Sequence, residues 1–516
     1  MADTKREIER KYEATGTTRL PDLSRVAGVS GVDHRGVSEL DAVYYDTEGL
    51  RLAADSLTLR RRTGGDDAGW HLKFPVASGI RDEIRAPLSD TLPAELAELI
   101  RSRVKDTAVV PVVRLRSVRD VHHLSGPDGA LLAEVSVDAV RAERLPGGGS
   151  AAWTEIEVEL ADDGDPAFLD AVEARLRKAG VRPSASPSKL ARALAETAPK
   201  EKQGTRPGKK GRSHRQGEQA APDTAGDHVL AYVRCQAEAI VALDPAVRRG
   251  LPDSVHQMRV ATRRLRSAFR TYRRVLDRTV TEPVAEELKW LAAELGVDRD
   301  QEVLDKRLHS RLDGLSRTLV LGPVHARLRI WSVARRSGSR DRIVAVLDSG
   351  RYLTLLRTLD ALLAGPPLLP AAARPPRKAL PRAVHKDHKR LTRRIAHALE
   401  LPPGPERDLA LHDARKAAKR ARYAAEAARP ALGKPARKSA KRLKALQSVL
   451  GDHQDSVVAR DALRSLAVQA HTAGEASFTW GLLYGHETAA AAVRERELPA
   501  VWARASRADF KAARGH

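Results

Sequence analysis

The chain of 516 residues contains one cysteine, Cys235, so no disulfide can form within it, and a reducing, cytoplasmic compartment is expected. No uninterrupted apolar run comes near 18 residues, and the start runs straight into Lys5-Arg6-Glu7, so neither a signal peptide nor a transmembrane helix is expected. Phe, Trp and Tyr make up only 4% of the chain, too little to interleave basic rows with stacking platforms for single-stranded nucleic acid. No Gly-x-x-x-x-Gly-Lys-Ser/Thr loop occurs, which excludes a P-loop. Clusters of Cys and His are missing, which argues against zinc, and no helix-turn-helix or zinc-finger spacing is present.

What the chain has in abundance is charge, unevenly placed. The formal net charge is +23, yet residues 1–227 balance at −2 and residues 228–516 at +25. Such an excess calls for a polyanionic partner, whether nucleic acid, an anionic membrane surface or polyphosphate; an Arg- and Ala-rich composition also contributes to it. The length suggests about two to four domains.

Residues 1–198 read as strands with short connections. Segments 43–47, 56–62, 69–74, 112–116, 133–138 and 153–160 alternate apolar with charged residues, and Asp66–Gly69 and Gly126–Gly129 are turn signals. Residues 93–104 and 166–179 have helical spacing. As a strand, the run Glu7-Ile8-Glu9-Arg10-Lys11 puts Glu7, Glu9 and Lys11 on one face. Two carboxylates there suit either a solvated surface or a cavity in which cations neutralise them. Glu155, Glu157 and Glu159 form a second acidic row, while Arg60 with Arg62 and Arg114 with Arg116 form basic rows. A closed antiparallel barrel, apolar outside under flanking helices and charged inside, would use all these faces at once.

Together with Tyr44-Tyr45-Asp46-Thr47 and Ser188-Lys189-Leu190, these elements resemble the CYTH superfamily, the triphosphate tunnel metalloenzymes, over residues 3–196. The resemblance implies an eight-stranded tunnel, with Glu7, Glu9, Asp138, Glu155, Glu157 and Glu159 as ligands of Mg²⁺ or Mn²⁺. It implies that Lys11, Arg60, Arg62, Lys73, Arg114, Arg116 and Lys189 bind a triphosphate, with Arg85 and Arg119 as weaker candidates and Glu83 and Glu134 weaker again. Glu7, Glu9, Lys11, Glu157 and Glu159 are the residues expected to carry catalysis.

Residues 199–227, rich in Gly, Pro, Lys and Gln, read as a flexible linker. Residues 228–516 read as long helices. Val255, Met258, Thr262, Leu265, Phe269, Tyr272 and Leu276 form an apolar seam beside the stripe His256, Arg259, Arg263, Arg266 and Arg270, with Arg264 close by. Like charges at this spacing repel by about 0.2–0.5 kcal/mol per pair, so the stripe suggests an anion ligand over a merely solvated face. The pattern recurs as His412, Arg415, Lys419, Arg420 and Arg422, and each copy is followed by Leu-Gly-x-x-x-Asp, at Leu295 and Leu450. Arg437, Lys441 and Lys444 add a further basic row. The duplication predicts two helical bundles with pseudo-twofold symmetry, roughly 228–370 and 380–510.

This half resembles the CHAD domain, a family associated with binding inorganic polyphosphate. The expected protein is thus an α+β multidomain chain: a tunnel at 1–198, a linker at 199–227 and a helical domain at 228–516. It would hydrolyse inorganic triphosphate or short polyphosphate ends with Mg²⁺ or Mn²⁺ and bind polyphosphate in the helical half. Alternatives are an organic triphosphate substrate such as thiamine or nucleoside triphosphate, adenylate cyclisation, or a non-catalytic polyphosphate-binding role. A cytoplasmic location, in association with polyphosphate granules, is expected; nucleic acid is the less favoured partner, and no membrane partner is expected.

Overall fold

The structure, a computed structural model, describes residues 3–145, 147–198, 224–336 and 339–507. They form two compact units, one on each side of residues 199–223. Most of the expected linker lies outside the described residues. Ala225–Asp227, expected to belong to it, instead open the first helix of the second unit, where Thr224 and Asp227 make a capping box.

The first unit is built from β1 (Asp3–Ala14), β2 (Gly31–Asp46), β3 (Thr58–Thr63), β4 (Gly69–Ala77), β5 (Ile80–Ala86), β6 (Val110–Ser125), β7 (Leu131–Arg144) and β8 (Ser150–Leu160). All neighbours are antiparallel, and β5 pairs with β1, closing the order β1-β5-β4-β3-β2-β6-β7-β8 into a barrel. The expected fold class is therefore present. Alternation does not predict β5, because Arg81, Asp82, Glu83 and Arg85 put charge on both of its faces.

Helices supply the apolar outside. Short α1 (Arg51–Ala54) is capped by Asp46, whose carboxylate accepts from the backbone N–H groups of Thr47, Leu52 and Ala53 at 2.7–2.9 Å. Helix α2 (Ala94–Val104) packs with Leu59, Trp70, Leu72 and Ile84 of β3–β5. Helix α3 (Ala167–Lys178) does the same for Tyr12, Val135, Ile156 and Val158 of β1, β7 and β8. Each fully buried side chain of this kind contributes roughly 1.5–3 kcal/mol. Register is strongly specified as a result, since a one-residue slip would turn the interior charges onto the helices. Helix α4 (Lys189–Glu196) behaves differently: its Leu190 and Ala193 pack with Tyr44, Val113, Leu115, Val140 and Trp153 at one end of the barrel, all 8% exposed or less. At that end the inward face is apolar.

The second unit is helical throughout: α5 (Ala225–Arg248), α6 (Ser254–Thr271), α7 (Arg278–Glu294), α8 (Gly296–Asp313), α9 (Val324–Arg336), α10 (Ser339–Asp348), α11 (Gly350–Ala364), α12 (Pro376–Glu400), α13 (Pro405–Ala427), α14 (Arg429–Leu432), α15 (Lys434–Thr472) and α16 (Phe478–Ala505). Where the first copy breaks at Leu295-Gly296 between α7 and α8, the second runs on as the single 39-residue α15. The predicted seams are buried: Met258, Leu265, Phe269 and Tyr272 in one core, Leu411, Ala414, Ala418 and Ala421 in another. Tyr272 donates its hydroxyl to the Ala424 carbonyl at 3.1 Å, tying α6 to α13. A third core joins α8 and α9 to α15 and α16 through Leu308, Leu328, Trp331, Leu463 and Trp480. No helix among the described residues is long and apolar enough to cross a membrane.

Candidate functional site

The barrel encloses a cavity of about 550 Å³ lined, among the described residues, by ten Lys and Arg and seven Asp and Glu. β1 contributes Lys5, Glu7, Glu9 and Lys11; β3 Arg60 and Arg62; β4 Lys73; β5 Arg81 and Arg85; β6 Arg119; β8 Glu157 and Glu159; and the N-terminus of α4 Lys189. Period-two alternation on a closed barrel brings these rows face to face.

The pairs are close. Lys73 Nζ donates to both oxygens of Glu7 at 2.8 and 2.6 Å. Lys11 lies 3.2 Å from Glu9 and pairs with Glu157. Arg119 donates to Asp138 at 2.8 and 2.7 Å and to Glu157 at 2.8 Å. Glu83, fully buried, accepts from Arg85 at 2.6 Å and bonds His71 Nδ1 at 2.8 Å. It anchors the surrounding cations.

Charge compensation is unequal across the cavity. Burial pushes the Glu7 carboxyl up, Glu83 and Glu159 add to this, and Lys73 only partly offsets it. Burial also penalises Glu9 and Glu157, yet Lys11, Lys73 and Arg81 together outweigh it at Glu9, and Lys11, Lys189 and Arg119 outweigh it at Glu157, so both are held low. Burial, then Arg60 and Arg119, push the Arg62 guanidinium down to about 9. The Nε atoms of Arg60 and Arg62 are buried with no hydrogen-bond acceptor among the described residues. A multiply charged oxyanion would supply what both lack.

The acidic side also has a gap. Glu9 and Glu159 face one another in the β1–β8 register, and Glu7 is short of positive charge. Their donors are hard carboxylate oxygens, so the set fits a divalent ion of the Mg²⁺ or Mn²⁺ kind. Asp138, Glu155 and Glu157 each place an oxygen within 4.8 Å of the others, a spacing that suits a cation. The ammonium of Lys189 occupies that place, 2.9, 3.0 and 2.5 Å from the three.

Of the residues predicted from sequence, Glu7, Glu9, Lys11, Arg60, Arg62, Lys73, Arg85, Arg119, Glu157, Glu159 and Lys189 all line the cavity. Asp138 and Glu155 do not; they lie behind Lys189 and position it. Arg114 and Arg116 do not either. They point outward and share Asp41 at 2.5 and 3.7 Å. The expected phase of β6 is reversed here because Val113 and Leu115 face inward into the apolar plug under α4. Further along the strand the same inward phase carries Arg119. Sequence reasoning missed Arg81, which lies opposite Glu7 on β5, and His71, which bonds Glu83. The alternation of β4 puts His71 on the same face as Lys73, whereas β5, charged on both faces, offered no such signal for Arg81.

A CYTH domain model matches residues 5–194 and a CHAD domain model residues 231–464. An uncharacterized protein of Mycobacterium tuberculosis, found in two strains, is 38% identical over 501 residues, covering 93% of this chain and 92% of its own. The chain is a CYTH–CHAD protein. Among solved structures, the CHAD domain from the plant Ricinus communis is 28% identical, covers 57% of this chain and 95% of its own, and gives a TM-score of 0.44. PptA from Streptomyces chartreusis is 22% identical, covers 55% and 100%, and gives 0.46.

In the CHAD unit the predicted basic residues fall into three settings. Arg259, 8% exposed, donates to both oxygens of Asp300 at 2.7 and 2.8 Å, and Arg263, Arg415 and Lys419 share its electrostatic field across α6 and α13. Leu-Gly-x-x-x-Asp thereby gains a purpose: a Cβ on Gly296 would meet Arg259 at 2.8 Å, so glycine lets the guanidinium lie against the helix while Asp300 holds it. Burial, then Arg415, Arg263 and Arg259, push the Lys419 amine down to about 7. In a second setting Arg264 and Arg422 stand over the Tyr423 ring at 5.7 and 4.9 Å, beside Glu426. In the third, Arg270 and Arg420 line a cavity of about 410 Å³ with Arg273, Lys386, Arg390 and Arg393. Arg266 lies close to Arg270, and Arg437, Lys441 and Lys444 are exposed on α15. His256 is half-buried, and His412 bonds the Gln454 side chain.

Proposed function

We propose that the CYTH unit hydrolyses inorganic triphosphate, or the end of a short polyphosphate chain, with a divalent metal, and that the CHAD unit binds polyphosphate. The observation that carries the first part is a single enclosed cavity with both a compensated cationic wall and the under-compensated Glu7 beside Glu9 and Glu159. Lys11, Arg60, Arg62, Lys73, Arg119 and Lys189 would bind phosphate oxygens, and Glu7, Glu9, Glu157 and Glu159 would hold the metal. Bound Mg²⁺ or Mn²⁺ would neutralise developing charge and polarise the phosphoryl group. The chain's own contribution is positioning and electrostatics: fixed ammonium and guanidinium groups meet the charge on the transferred phosphoryl group. A tunnel carboxylate orients water and takes its proton as one P–O bond forms and the bridging P–O bond breaks.

Among the described residues Tyr44 is the one Phe, Tyr or Trp lining the cavity, and it is 3% exposed with its hydroxyl 3.4 Å from Arg60. An adenine or thiamine ring would find no stacking platform there, which favours the inorganic substrate. Convergence of Arg259, Arg263, Arg415 and Lys419 supports the second part, since arginine binds phosphates in forked geometry. A panel of inorganic, thiamine and nucleoside triphosphates with Mg²⁺ or Mn²⁺ tests the reading. Glu9→Ala should lower inorganic triphosphate turnover at least 100-fold with the circular dichroism spectrum unchanged; undiminished metal-dependent turnover would sink it.

A further inference from the structure

We propose that the CYTH cavity has a single mouth and takes polyphosphate only by a chain end, so that internal bonds and cyclic phosphates are not cleaved. This rests on the phosphohydrolase reading above and adds a direction to it. Strand order places the start of β1 and the ends of β5 and β8 at one rim of the barrel, and there the side chains open to solvent: Lys5 is 31%, Arg85 34% and Glu159 28% exposed. Deeper in, Lys73 falls to 14% and Lys189 to 9%. Beyond Lys189 the interior is apolar and filled by α4 against Tyr44, Val113, Leu115 and Trp153.

The side of the barrel next to α4 is closed as well. Ser184 N–H donates to the Lys11 carbonyl at 2.8 Å, and Arg81 donates to the Pro187 carbonyl at 2.5 Å. The segment leading into α4 is thus laced across β1 and β5. Lys189, fixed by Asp138, Glu155 and Glu157, forms the floor.

An internal phosphoanhydride could reach the Glu7–Glu9 wall only if both arms of the chain left through the same rim, side by side and mutually repelling. A terminal phosphate enters with one arm. Water then bonds to the terminal phosphorus, the bridging P–O bond breaks, orthophosphate and a chain one unit shorter are released, and the water proton passes to solvent.

The full chain, with Mg²⁺ or Mn²⁺, is given linear triphosphate, cyclic trimetaphosphate and long-chain polyphosphate, and the products are resolved on gels. The expected result is turnover of linear triphosphate, at least 100-fold slower attack on the cyclic compound, and orthophosphate appearing while long chains shorten gradually. Early mid-length fragments, or cyclic and linear triphosphate cleaved at similar rates, would overturn the single-mouth inference alone. No cleavage of linear triphosphate would overturn the hydrolase reading and this inference with it.

Discussion

Glu7 and Lys73 show how one ion pair can be both strong and incomplete. Two hydrogen bonds join them, yet burial and the nearby Glu83 and Glu159 leave the Glu7 carboxyl above its ordinary value of 4.5. If Glu7 acts as a carboxylate ligand, activity is lost as pH falls through this raised value, so the acid limb of kcat/KM lies above 4.5. Lys73→Met removes the main charge holding it down and should move that limb up by about one unit, besides lowering the rate. A pH–rate profile checks this. Because the folded value is raised, ionised Glu7 weakens folding as pH rises through it, and added Mn²⁺ should raise the melting temperature above that pH. On β6 neighbouring residues divide by face. Arg114→Ala and Arg116→Ala should leave triphosphate turnover within threefold, whereas Arg119→Ala, which removes a cavity guanidinium shared by Asp138 and Glu157, should cost 100-fold or more in steady-state kinetics.

Single elements have local rules that their neighbours amend. Gly451 lies inside α15, and a Cβ there would sit 3.8 Å from Arg415 Nε, an ordinary contact. Gly451→Ala should therefore stabilise the protein by about 1 kcal/mol through helix propensity alone. Gly296→Ala should show no such gain, because its Cβ would meet Arg259 at 2.8 Å and displace it from Asp300. Denaturant unfolding of the two variants tests the pair. The two glycines occupy the same place in the repeated motif, yet only the first is pressed by its arginine. α4 shows the same dependence on surroundings: eight residues become a plug because Leu190 and Ala193 meet the apolar ends of β6, β7 and β8.

Over the whole molecule, the charge imbalance between the halves corresponds to two ways of compensating buried cations. Cations in the CYTH barrel are matched against carboxylates, while Arg259, Arg263, Arg415 and Lys419 in the CHAD unit crowd together with Asp300 and Asp455 at the margin. A bound polyanion would restore the Lys419 proton, so polyphosphate retention should weaken as pH rises through about 7. Lys419→Met should abolish that pH dependence, cut retention at least tenfold, leave triphosphate turnover unchanged and raise the melting temperature by removing crowded charge. Filter binding, kinetics and calorimetry of the full chain check the four parts. A lysine important only for packing would lower stability instead.

Several features were legible without coordinates. Period-two charge rows named the inward faces of β1, β3 and β8, and the duplicated His-x-x-Arg stripes marked two helical copies, because both patterns follow from backbone geometry alone. Burial at the far end of the barrel was not legible. Alternation shows that Val113 and Leu115 oppose Arg114 and Arg116, but it cannot say which pair faces inward; α4, some 75 residues away in sequence, decides it. In the same way the family resemblance marked Asp138 and Glu155 as ligands of a metal ion, and only packing showed that the cation beside them is Lys189. Local chemistry set the residue types and their period. Partners brought together by long-range contacts chose the face, the depth and the counter-charge.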